Sequence, residues 1–169
     1  MKKILCLALI TFLFLPVVFG QEEEILKLKE KIIALQNRGE LGFRNFTFCS
    51  NILGFASYVP LPQPVIDKKG QLLVYYEPLN VYTSKREGLY EMWYTQDMAL
   101  LKADGETLSE WKDILDFHYT TKSPVMDLFA QNSITLDGKV SPGKYKFKAV
   151  LKDKLSGKLA TKIVDFEIR

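Results

Sequence analysis

From residue 21 onward the apolar and polar positions repeat with two different periods. In "QEEEILKLKEKIIALQNRGE", residues 21–40, Ile25, Leu28, Ile32 and Leu35 recur at spacings of three and four, which places them on one face of a helix. Glu22, Glu23 and Glu24 suit the positive N-terminal end of such a helix, and Arg38 with Gly39 suits its C-terminal end. Charged residues fill much of the opposite face. Two readings follow. The helix docks on the domain's own core or serves as a spacer from the membrane, or it is a dimerisation or partner helix.

From Leu41 the helical period gives way to short β-rich runs between turn signals. In "FRNFTFC", Phe43, Phe46 and Phe48 stand among polar residues. The prolines of "YVPLPQPVIDKKG" restrict that segment to an edge strand or a loop, because proline cannot donate to a sheet ladder. "QLLVYYE" is a compact apolar run between Gly70 and Pro78, as a central strand requires. "LYEMWYTQDMALLKADGE" predicts one strand or two, with the break at Gln96-Asp97, and ends in an Asp104-Gly105 turn. "TLSEWKDILDFHYTTKS" fits a strand pair or a short helix around Glu110–Leu115; the extended form is favoured. "VMDLFAQNSITLDG" reads as a further strand region. Tyr145, Phe147, Ala149 and Leu151 then alternate with lysines, and Val164, Phe166 and Ile168 share one face of the last strand.

About seven to eight short strands, with regular turn signals and no alternating helices, predict an all-β chain: an immunoglobulin-like antiparallel β-sandwich. The expected organisation is a signal peptide over 1–20, an amphipathic helix over 21–40 and the sandwich over 41–169. Pro142 and Gly143 set a turn before Tyr145. In immunoglobulin-type sandwiches a tyrosine near the start of the penultimate strand bonds back to the backbone, a structural part that suits Tyr145. "FCSNILGFASYVPLP", "QLLVYYEPLN" and "SPGKYKFKAVLKDKLSGKLATKIVDFEI" together resemble an uncharacterised group of secreted bacterial β-sandwich proteins. The matching features are a Phe-Cys followed by Gly-Phe and an aromatic, a Tyr-x-Glu strand, and a Pro-Gly-x-Tyr…Ser-Gly-Lys…Phe-x-Ile ending. The resemblance runs from about Phe48 to Ile168 and leaves out the helix. It implies a sandwich and an exported location, and it brings no activity or catalytic residues.

The first twenty residues change the picture of location. Lys2 and Lys3 precede the apolar run "ILCLALITFLFLPVVF", and Val18 and Gly20 supply small residues before a cut ahead of Gln21, the layout of a secretory signal peptide. The run is short for a spanning helix and Pro16 interrupts it, so no stable transmembrane segment is expected after cleavage. Localisation is therefore read as exported, periplasmic or extracellular. Loss of Lys2 and Lys3 leaves 21 basic against 20 acidic side chains, a net charge of about +1, which gives no electrostatic footprint for nucleic acid. Cys6 leaves with the leader. Cys49 then stands alone among apolar neighbours, read as a buried thiol rather than half of an intermolecular disulfide.

Candidate chemistry is sparse. His118, the only histidine, has Asp113 and Asp116 nearby in sequence, but a metal site gathers three or four ligands and a serine triad of the hydrolase type carries a GxSxG elbow. No phosphate-binding glycine loop or CxxC pair is present, and no cofactor is expected. Asn45-Phe46-Thr47 matches the N-glycosylation sequon, a motif short enough to arise by chance. The middle of the chain is crowded with aromatics, and alternation puts Tyr90, Met92 and Tyr94 on one face of a strand with Glu91 and Trp93 on the other. Tyr and Trp offer large, stiff contact area. The leading expectation is an exported, non-enzymatic binding module of the cell envelope acting by protein–protein contact with an envelope partner. Its candidate surfaces are Ile25, Leu28, Ile32 and Leu35 on the helix and the face bearing Trp93. The alternative is a carbohydrate- or small-ligand-binding sandwich using Trp93, Trp111 and Tyr82, with a glycan as partner. A hydrolase centred on His118 ranks third.

Overall fold

The computed structural model describes residues 20–138 and 140–169. The leader read from residues 1–20 lies outside the described residues, apart from Gly20. A helix, α1, spans 20–36, and ten strands follow. They are β1 (Gly42–Gly54), β2 (Ser57–Pro60), β3 (Val65–Ile66), β4 (Gln71–Leu79), β5 (Thr83–Arg86), β6 (Leu89–Lys102), β7 (Thr107–Thr121), β8 (Ala130–Thr135), β9 (Gly143–Asp153) and β10 (Leu159–Ile168). Three of them, β2, β3 and β5, hold four residues or fewer; the other seven are the long strands that the alternation predicts.

The strands form two sheets. One has the order β2-β1-β4-β8; the other runs β3-β10-β9-β6-β5, with β7 on the free side of β6. Every pairing is antiparallel except the short β3–β10 contact. The arrangement is immunoglobulin-like: β10, β9 and β6 lie side by side as the G, F and C strands do, while β4 and β8 take the B and E places in the facing sheet. Tyr145, at the start of β9, donates its hydroxyl to the Ser141 carbonyl at 2.6 Å, the corner bond that its position predicts. In antibody domains the position two residues further on holds a cysteine. Here it is Phe147, fully buried, so apolar packing closes the sheets where a disulfide would otherwise sit.

Phe147 packs in one core cluster with Phe48, Val74, Leu100, Tyr145 and Phe166. A second cluster joins Leu41, Tyr76, Met92, Tyr94 and Leu151. Cys49 is buried and unpaired, and burial pushes its thiol above the usual range. One polar chain crosses the interior: the Tyr76 hydroxyl donates to Gln96, and the Gln96 amide donates to Asn132 at 2.8 Å. Burial raises the Tyr76 phenol far above its normal range and pushes that of Tyr94 up to about 12, so both stay neutral.

The middle of the chain resolves the open readings. β6 is one strand, not two, and Glu110–Leu115 is extended within β7, not helical. The expected break at Gln96-Asp97 is nonetheless a real irregularity. Gln96 pairs with Leu115 but Met98 pairs with Trp111, so three β7 residues stand opposite Asp97. The Asp113 backbone turns to a φ of 47° at this bulge, and its N–H donates to Asp97 Oδ1 at 2.9 Å.

Candidate functional site

The helix is fixed to the sandwich by a different face from the apolar stripe that marks it in the sequence. Ile33, only 7% exposed, is the apolar side chain that goes inward. Asn37, just past the last helical turn, exchanges two hydrogen bonds with the Thr83 backbone: its Nδ2 donates to the carbonyl and its Oδ1 accepts from the N–H, both at 2.9 Å. Glu30 accepts from Lys85 Nζ at 2.6 Å and from the Tyr90 hydroxyl, and the lysine bond foremost holds its carboxyl below the usual range. Lys29 Nζ donates to Ser123 Oγ at 3.1 Å. Gly39 permits the chain to leave the helix close to Asn80, since a Cβ there would sit 2.3 Å from the Asn80 amide nitrogen, which itself donates to the Glu40 carbonyl.

These contacts leave the stripe outside. Ile25 is 46% exposed, Leu28 52%, Ile32 44% and Leu35 67%, so the four partner-contact candidates on α1 come together as one solvent-facing row. Between helix and sheet runs a groove of about 550 Å³ lined by Glu30, Ile33, Asn37, Tyr82, Lys85 and Tyr90. Tyr82 therefore lies beside the helix, away from the other two candidate aromatics.

The second surface is on the outer face of the β6–β7 pair. Trp93 stacks on His118 with ring centroids 4.6 Å apart and planes 18° from parallel. Its indole N–H donates to Asp116 Oδ1 at 2.8 Å. His118 Nε2 lies 2.8 Å from Glu91 Oε1, and this bond foremost holds the Glu91 carboxyl below its usual range. Asp113 is turned elsewhere: it accepts from Lys152 Nζ at 3.2 Å, and the nearby Thr95 hydroxyl and then Lys152 hold its carboxyl below the usual range. Of the two aspartates near His118 in sequence, one binds tryptophan and the other lysine. Among the described residues no three His, Cys, Asp or Glu side chains are gathered so as to hold a metal ion. Trp111 pairs opposite Met98 and packs against the core, on the other side of the sheet from Trp93. The three aromatics proposed as a glycan platform thus occupy three separate places.

The apolar periodicity gives Glu77 no part; in the sequence it figures only as the glutamate of the Tyr-x-Glu strand, with Tyr75. It is 2% exposed, on the face of β4 that looks away from the sandwich core, and it accepts from Arg44 Nε at 2.6 Å, Asn45 Nδ2 at 2.9 Å and the Tyr75 hydroxyl at 2.9 Å. The Ala56 N–H donates in turn to Tyr75, whose ring is stacked by Tyr58. Asn45, the sequon residue, thus spends its amide on Glu77, with its backbone at a φ of 53° where β1 bulges against β4. Burial alone would raise the Glu77 carboxyl, but the three donors outweigh it and the net direction is downward.

Among the described residues no helix is long and apolar enough to cross a membrane. No protein-family model and no curated protein matches the chain. Solved structures do. One is a Pseudomonas fluorescens alkylpurine DNA glycosylase bound to DNA containing an abasic site analog, with a TM-score of 0.44, 11% identity and 78% of this chain covered; the chain spans 31% of that protein's length. Another is an immunoglobulin-like protein from Pseudomonas aeruginosa, with a TM-score of 0.36, 13% identity, 78% of this chain covered and 98% of that one.

Proposed function

We propose that this chain is an exported binding module of the cell envelope that acts by protein–protein contact, with the outer face of α1 as its working surface. One observation carries the reading. A helix held to the sandwich by Ile33, Glu30 and Asn37 still presents four large apolar side chains to water. A stripe of that kind has no use in packing its own domain, and contiguous exposed apolar surface marks interaction sites. The three-part layout of residues 1–20 supports export.

The test is co-purification from native envelope extract, comparing the protein with a variant carrying Leu28→Asp and Ile32→Asp. Because both positions are exposed, the sandwich should melt unchanged while the captured partner is lost. Retention of every association by the variant would remove the helix from the mechanism. Mass measurement of the protein recovered from the cell should give an N-terminus at Gln21.

A second reading rests on the Trp93–His118 ring pair, in which a half-buried indole stacks on an exposed imidazole on the outer face of the sheet, an aromatic surface that a sugar can meet. Titration with cell-wall glycans should then quench tryptophan fluorescence, and Trp93→Ala should abolish the change. A flat titration across a broad panel removes this reading. The hydrolase reading requires His118→Ala to abolish turnover without lowering the melting temperature.

A further inference from the structure

We propose that the outer face of α1 is the seam of a parallel two-stranded coiled coil with a second copy of this chain. The inference rests on α1 being the contact surface and names its occupant. The four exposed residues follow an unbroken a-d-a-d heptad spacing: Ile25 and Ile32 take the a positions, Leu28 and Leu35 the d positions. β-Branched residues at a with leucine at d is the combination that favours two parallel strands over higher oligomers.

The flanking charges agree with the same orientation. Glu24 falls at a g position and Lys29 at the following e position, so a parallel pair brings Glu24 of each helix beside Lys29 of the other, twice by symmetry. Lys31 then faces Gln36, a neutral partner. An antiparallel pair would instead place e beside e and g beside g, so that Glu24 meets Lys31 while Lys29 meets only Lys29 or Gln36. Charge complementarity therefore fits a copy of the same helix, and the isoleucines at a with leucines at d set the parallel direction. Lys29, which donates to Ser123 in the single chain, is the one side chain that has to move.

Two features of the fold make so short a seam workable. An isolated pair of two-heptad helices must first pay for helix nucleation. Here each helix is already ordered by its contacts with the sandwich. The docked residues Glu30, Ile33 and Asn37 also lie roughly 150° around the helix from the centre of the stripe, at about 100° per residue. The two sandwiches consequently hang on the outer sides of the pair, and only residues 122–123, beside Lys29 and Ile25, come near the edge of the seam.

The experiment is sedimentation and light scattering on the protein expressed as the full chain, at high micromolar concentration. Twice the monomer mass is expected, falling to the monomer in the Leu28→Asp, Ile32→Asp variant with no loss of sandwich melting temperature. Glu24→Lys should weaken the dimer severalfold, and adding Lys29→Glu to it should restore the dimer. Leu35→Cys should crosslink to itself under mild oxidation. A monomer at every concentration overturns the proposal, as does a dimer that ignores the stripe variants or a Leu35→Cys that crosslinks only with Ile25→Cys. If the chain is monomeric but a different envelope protein is captured through the stripe, the binding reading stands and this inference falls. If it is monomeric and the stripe variants lose nothing, both fall.

Discussion

Glu77 shows how much one side chain can depend on its surroundings. Its carboxylate is removed from bulk water on the outer face of β4, and three donors from β1 and β4 hold it ionised. Because its folded-state affinity for a proton is lowered, the stability it contributes is complete above the ordinary glutamate value of 4.5 and is lost as pH falls through the lower folded value. Acid unfolding should therefore steepen below that point. Glu77→Gln should cost about 1–3 kcal/mol at neutral pH, since Arg44 and Asn45 lose their anionic acceptor, and should flatten this part of the acid transition. Urea titrations of both proteins at a series of pH values measure it, and parallel curves would mean that the carboxylate is not ionised in the folded state. The three-residue step from Phe43 to Phe46 breaks the alternation where β1 bulges, so the bulge has a trace in the sequence. The network it builds does not, because periodicity gives no sign that Asn45 aims its amide across to Glu77 on β4.

Elements were easier to read than their partners. Strict alternation in β9 and β10 put Tyr145, Phe147, Ala149, Leu151, Phe166 and Ile168 inside, where all six lie. The helix was equally plain from its spacing, but its docking side was not. Apolar residues occur on two faces of "ILKLKEKIIAL", and Ile33, the weaker signal, is the one that packs, while the stronger row of four faces water. What decides between them is the position of Thr83, Lys85 and Tyr90 on β5 and β6, which supply polar partners to Asn37 and Glu30 and are distant in sequence. The helix should accordingly open as its own unit. In Ile33→Asp, hydrogen exchange of the amides in 20–36 should accelerate by an order of magnitude or more while β4 and β9 stay protected. Equal acceleration in both would mean that helix and sandwich unfold together.

The whole molecule must also manage its open sheet edges. β2 and β3 are short and lie in the proline-rich stretch, which blunts two of them. β7 is different: fifteen residues long and largely exposed, it is a ready template for another strand. The bulge at residues 112–114 interrupts it, and its two extra residues keep Trp111 and Leu115 on the same face. Deleting Lys112 and Asp113 should restore straight pairing from Ser109 to Thr121 and lengthen the continuous edge, raising the tendency to aggregate on mild heating as read by light scattering; an unchanged onset would assign the protection elsewhere. The lone cysteine offers something more practical. Cys49 lies between Pro60 of the edge strand β2 and Leu73 of β4, and no other cysteine is left in the chain once residues 1–20 are set aside. A thiol reagent can reach it only when β2 peels away or the sandwich opens, so labelling kinetics at a single sulfur act as a clock for the loosening of that hairpin, with no engineered probe and no disulfide to reshuffle while it runs.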